Sequence, residues 1–144
     1  MSVENEFLGF LIGNWTLEGE MFLASGTVPL HQRVSAEWSL RGAFVEVRCT
    51  ELQGAPYEAL YLIGHDPSVG SLVFHLFDSM GVSARYRFGV GKLVRNEVTF
   101  AFPYESGLFM NTLRHEPNGS FTWTLTDCSR AVDQLFAVKR MRRA

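Results

Sequence analysis

Phe10-Leu11-Ile12-Gly13-Asn14-Trp15-Thr16-Leu17-Glu18-Gly19-Glu20 is the stretch whose reading decides the fold. An apolar run stops at Gly13, a tryptophan follows two residues later, and polar and apolar residues then alternate. A chain that leaves a short helical plug and enters the first strand of a barrel reads this way. Glycine takes backbone angles that other residues avoid, so the chain can turn sharply at Gly13. Trp15 supplies one large apolar surface able to seal a barrel floor.

Upstream, Phe7, Leu8 and Leu11 fall at helical spacing and predict a short helix over residues 3–12. Downstream, Trp15, Leu17, Met21 and Leu23 alternate with Thr16, Glu18 and Glu20, a pattern that only a strand makes one-sided. Ala24 to Pro29 reads as a turn region before a strand over 31–40. A third strand lies near 43–52, and Gln53-Gly54-Ala55-Pro56 turns the chain again. Strands over 57–64 and 72–78 are apolar on both faces, so periodicity does not say which face points inward. A strand over 82–88 follows, with Gly89-Val90-Gly91 as a tight link to one strand within 92–102. Strands over 108–115 and from Phe121 through Thr126 flank Asn118-Gly119, whose residues tolerate the positive backbone angles of a tight hairpin turn. Val132–Met141 is the last strand, and Arg142-Arg143-Ala144 reads as a frayed tail.

That makes about ten short strands with no room for crossover helices, hence sequential antiparallel hairpins. Closing such a sheet removes its edges. The fold class is therefore all-β: a closed, antiparallel, up-and-down barrel with a short N-terminal helix, one domain over residues 1–144. A barrel of more than ~8 strands is wider than its own side chains fill, so a cavity is expected.

Composition narrows the function classes. A formal net charge of -2 argues against a nucleic-acid footprint. No apolar run approaches the ~20 residues of a membrane-spanning helix. The N-terminus Met1-Ser2-Val3-Glu4-Asn5-Glu6 is acidic where a secretion signal is basic. Cys49 and Cys128 match no metal or redox spacing and read as free thiols, which fits a reducing cytoplasm. Arginine far outnumbers lysine, a bias that fits either a GC-rich genome or an anionic ligand.

Gly13-Asn14-Trp15 resembles the Gly-x-Trp signature of lipocalins and related fatty-acid-binding-like barrels, the calycins. The similarity is closest to a bacterial family of lipocalin-like proteins of unknown function, with its mid-chain Gly-x-Asp-Pro turn and a strand ending Asp-Ser. Here these are Gly64-His65-Asp66-Pro67 and Phe77-Asp78-Ser79. The resemblance implies a barrel, a cavity, and a basic residue near the end of the last strand packed over the tryptophan, for which Arg140 is the match. A neighbouring branch, the nitrobindins, binds haem through a histidine. None of His31, His65, His75 and His115 matches that ligand by motif.

The expected function is binding of a small, apolar or amphipathic molecule in the barrel, with no cofactor. Aromatic alternation nominates Trp38, Tyr61, Phe77, Tyr86, Phe100, Met110 and Trp123 as cavity residues, with His75 or Arg85 fixing a polar end. A second reading is an isomerase- or hydrolase-type enzyme using His75 with Asp78 or Arg85, which requires His75 inside the cavity with a shifted pKa. A homodimer built on the outward apolar residues of strands 57–64 and 72–78 is a third. His65-Asp66-Pro67 reads as a structural turn. Gly89-Val90-Gly91-Lys92 fails as a phosphate loop, because its spacing is short and Leu93 replaces the hydroxyl residue that would hold magnesium.

Overall fold

A computed structural model describes residues 2–80, 87–104 and 107–144. The helix α1 (Val3–Gly9) precedes eleven strands. These are β1 (Gly13–Leu23), β2 (Gly26–Ser39), β3 (Phe44–Glu51), β4 (Glu58–Asp66), β5 (Ser71–Asp78), β6 (Arg87–Gly91), the two-residue β7 (Leu93–Val94), β8 (Glu97–Tyr104), β9 (Gly107–His115), β10 (Phe121–Asp127) and β11 (Gln134–Arg143). Sequential antiparallel pairs run from β1 to β6 and from β8 to β11, β1 pairs with β11, and β6 pairs with β8 to close the barrel. Closure leaves no long edge to recruit another chain.

Each strand alternates as its sequence does. Trp15 and Leu17, then Val34 and Ala36, then Val45 and Val47 are buried, whereas Glu18, Arg33 and Arg48 stand outside. Glu46 and Arg48 pair on the outer face at 3.3 Å. The helix caps one end. The hydroxyl of Ser2 accepts the Asn5 N–H at 3.1 Å, and Phe7 and Leu8 enter the core. Gly13 makes the turn into β1 with φ 131°, in the region that favours glycine. Trp15 is fully buried beneath the helix, and its indole N–H donates to the Leu11 carbonyl at 2.7 Å. It meets Phe121 edge to face with centroids 5.5 Å apart.

The cation over this tryptophan is Arg143, not Arg140. The Arg143 guanidinium carbon lies 4.1 Å from the Trp15 ring, and its nitrogens donate to the carbonyls of Ile12 and of Phe10, the latter at 3.1 Å. Arg140 is exposed and faces outward, opposite Glu18 and Thr122. The residue that fits has to sit beside Trp15 in the β1–β11 ladder, and Arg143 is its partner there. The tail is therefore strand, tied to the loop that precedes β1.

Three further boundaries differ from expectation. Pro29 lies inside β2, in a segment paired with β1 but beyond the stretch that pairs with β3, so its missing N–H breaks no ladder. Gly89 and Gly91 are strand residues of β6. A side chain at Gly89 would strike the Phe102 ring, and one at Gly91 would strike the Thr99 carbonyl. The segment 92–102 is a small hairpin, turned at Arg95 with φ 60°. Asp66-Pro67-Ser68 is the structural turn anticipated, with the Asp66 carboxylate accepting the Ser68 N–H at 3.0 Å.

Replacing Arg143 with Ala removes a cation–π contact and two charged hydrogen bonds, and is expected to lower unfolding free energy by about 1–2 kcal/mol. The exposed Arg140→Ala should stay within about 0.5 kcal/mol of the parent. Urea unfolding midpoints of the two variants check this. Equal losses would remove the assignment of Arg143 to the floor.

Candidate functional site

The barrel is packed differently at its two ends. Near α1 the inward positions are closed by Leu8, Leu11, Trp15, Phe121 and Met141, all 1% exposed or less. Above this floor Phe74 gathers Tyr61, Phe100, Phe102 and Trp123 into an aromatic layer, with ring centroids 5.0–5.6 Å from its own. Toward the far end the inward positions loosen. Met21, Leu30, Leu76, Phe109 and Leu125 occupy inward places in their strands but are only half-buried. Inward side chains that still touch solvent mark the end away from the helix, the cup of the barrel, as its less tightly closed end.

Of the nine residues expected in the cavity, three point into the barrel: Tyr61, Phe100 and Trp123, all buried in the aromatic layer. Trp38 has inward parity opposite Val45, but it ends β2 at the helix end and is 38% exposed. Phe77 is on the outer face of β5 and 49% exposed. Met110 lies on the outward parity of β9, between the inward residues Phe109 and Asn111, and is half-buried. Arg85 and Tyr86 lie outside the described residues.

His75 is also outward. Its neighbours Phe74 and Leu76 point in, and its own ring sits against Phe44 and Phe88 with centroids at 6.0 and 4.8 Å. Burial among these rings lowers its pKa. Asp78, three residues along, falls on the opposite face of β5, where it accepts a hydrogen bond from the Tyr57 hydroxyl at 3.0 Å. Strand alternation thus keeps the pair from working on one substrate in the lumen. The other histidines lie away from the cup as well. His31 is on the outer face of β2, beside the inward Gln32. His65 meets Ser2 and Glu4 near the helix, and His115 is stacked between Phe10 and Phe121. No histidine therefore stands where it could ligate a haem in the cup, and the residues present do not fit that group. Among the described residues no cluster of His, Cys, Asp and Glu could hold a metal ion.

What occupies the cup instead is Lys139. The β1–β11 ladder pairs it with Gly19, and the β10–β11 ladder pairs it with Trp123, so it shares the inward face with Ala137 and Met141. Its ammonium nitrogen lies 5.3 Å from the centroid of the Trp123 ring. Trp123 is in turn fixed by its indole N–H, which donates to the Asn111 side chain at 3.1 Å. Cys49, on β3, is the titratable neighbour of Lys139, and Tyr61 approaches the Cys49 sulfur. Burial shifts all three groups toward their neutral forms. The Lys139 pKa is lowered, the Cys49 thiol is pushed up to about 11, and the Tyr61 hydroxyl is raised well above its ordinary value. No carboxylate among the described residues forms an ion pair with Lys139.

The sequence reading passed over Lys139 because it stands between Val138 and Arg140, in a strand whose charges look like surface. One signal was available. Ala137, Lys139 and Met141 share a parity, and Val138, Arg140 and Arg142 share the other. Ala137 and Met141 are apolar and belong inside, which places the lysine between them inside as well.

The sign of its effect on stability follows from the direction of the shift. In the unfolded chain Lys139 is protonated below its ordinary value of 10.5, whereas the folded state resists that proton. Folding is therefore penalised at neutral pH, and the penalty fades as pH rises toward 10.5. Lys139→Met should raise the melting temperature at pH 7, by a margin that shrinks toward pH 10. A gain that is the same at both pH values would show that the lysine is not desolvated.

No protein-family model matches the sequence, and no curated protein sequence matches it. The fold does have a counterpart. The crystal structure of Rv2717c from M. tuberculosis superposes with a TM-score of 0.73 at 12% identity, covering 100% of this chain and 99% of that one. At that identity the likeness concerns the fold. No helix among the described residues is long and apolar enough to cross a membrane.

Proposed function

We propose that the protein binds one small, largely apolar molecule in the cup, with a polar end directed at Lys139. The observation that carries this reading is a solvent-touching lysine on the inner wall of a barrel whose less buried inward side chains are Met21, Leu30, Leu76, Phe109 and Leu125. A lumen of apolar walls with a few convergent polar groups is the usual form of a small-molecule site. A lysine kept there against its desolvation cost has more use in recognition than in stability. Lys139, Cys49 and Tyr61 supply the polar groups, while Leu23, Val28, Leu52 and Leu135 expose apolar surface around the mouth, suited to an apolar guest. Two free cysteines, one of them buried, fit a reducing compartment such as the cytoplasm.

An enzyme built on His75 finds less support, since that side chain is outside the lumen. The outer faces of β4 and β5 do carry Leu60, Leu62, Val73 and Phe77, but nothing there selects a second copy over solvent.

Native mass spectrometry tests the binding reading on protein purified without refolding. Extra mass that leaves on denaturation, or uptake of one equivalent of added decanol, is expected. Leu76→Trp, which adds bulk to the cup wall, should reduce that uptake at least about tenfold, the effect of losing ~1.4 kcal/mol of binding. A barrel that retains nothing and takes up no decanol would overturn the proposal.

A further inference from the structure

The binding reading fixes where a ligand sits but not what Lys139 does with it. Resting on that reading, we propose that the ligand is a carbonyl compound, an apolar aldehyde or ketone, held reversibly as an imine on Lys139 Nζ. The geometry is that of an amine aimed into an apolar lumen. Lys139 faces the ring of Trp123 at 5.3 Å, and Gly19 beside it in the ladder carries no side chain to cover it. Its titratable neighbour, Cys49, is neutral. The inward carboxylate of Asp78 is engaged with the Tyr57 hydroxyl at 3.0 Å.

A fixed carboxylate at Lys139 would hold it as an ammonium ion, which has no lone pair. Without one, burial raises the share of free amine at neutral pH, the condition shared by lysines that form Schiff bases. A carboxylate ligand would waste that preparation, since it asks for the ammonium form. A carbonyl uses it. The Nζ lone pair attacks the carbonyl carbon, a C–N bond forms, and the C=O π pair moves to oxygen. That oxygen gains a proton, and the carbinolamine then loses water as the C=N bond forms. The carbonyl oxygen and two amine protons leave together as one water molecule. No oxidant or reductant is consumed, and readmitted water reverses the step. Tyr61 remains protonated. Cys49 remains a thiol rather than a competing thiolate.

The chain contains its own control, because Lys92 is its one other lysine and is exposed. The protein is incubated with decanal at pH 7 and reduced with cyanoborohydride. Peptide masses then locate the alkylated amine, and native mass spectrometry measures decanol uptake in parallel. The expected result is alkylation of Lys139 several-fold faster than of Lys92. Preference for Lys139 should disappear in urea. Lys139→Arg keeps a cation but cannot form the imine, and should lose the adduct. Since the comparison of the two lysines is made within the unaltered protein, misfolding of that variant would not blunt the test. Decanol uptake with Lys139 labelled no faster than Lys92 overturns the imine and leaves the binding reading standing. Failure of both decanol uptake and Lys139 labelling overturns the two together.

Discussion

The contact on which the rest depends is the one between Trp15 and Arg143. Trp15 alone would be a buried indole with its N–H to satisfy, and Leu11 satisfies it. Arg143 then lies over the ring and binds the carbonyls of Phe10 and Ile12 left free where the helix ends. One side chain thus joins the last strand, the first strand and the helical plug, which are far apart in sequence. It also covers Gly13, where a side chain would collide with the guanidinium.

This contact sets more than the floor. Trp15 opposite Arg143 fixes the β1–β11 register, and that register places Gly19 opposite Lys139 and Met21 opposite Ala137. A slip of one residue would carry Arg140 into the barrel and Lys139 out of it, because side-chain direction alternates along a strand. Sealing one end therefore determines which cation faces the lumen at the other. Helix, tryptophan and aromatic layer fill the lower half, and the less buried inward side chains lie above them.

Much of the fold was legible because its signals are local. Gly13 with Trp15, the alternation through Trp123 and the Asn118-Gly119 hairpin each specify structure within a few residues. The errors lie where two neighbouring environments compete. In β5, His75 and Phe77 look as suited to an interior as Phe74 and Leu76, and only pairing with β4 and β6 decides between the sets. In β6, glycines resembled a turn because their purpose is to admit Phe102 and the Thr99 backbone from β8, a long-range fact. Arg140 was preferred to Arg143 for the floor because strand length was misjudged at the C-terminus, where the ladder to β1 continues to the penultimate residue. Tyr61, Phe100 and Trp123 were legible as interior residues, but Lys139 was not, since a lysine's charge normally marks the outside.

The chemistry of the cup follows from what its walls omit. Lys139 has a thiol and an indole face as neighbours, neither of which carries formal charge at neutral pH. A glutamate in place of Cys49 would give the lysine a partner and remove much of its desolvation penalty, since a paired buried charge is far less costly than a lone one. It would also lock the amine as an ammonium ion. A leucine in place of Lys139 would complete an apolar interior and leave nothing to orient a guest. The arrangement present lies between these two, with one lysine beside a neutral thiol and an indole face. Such a group is the part of the barrel whose state a ligand can change most, by giving it a hydrogen-bond acceptor, an anion or a covalent partner.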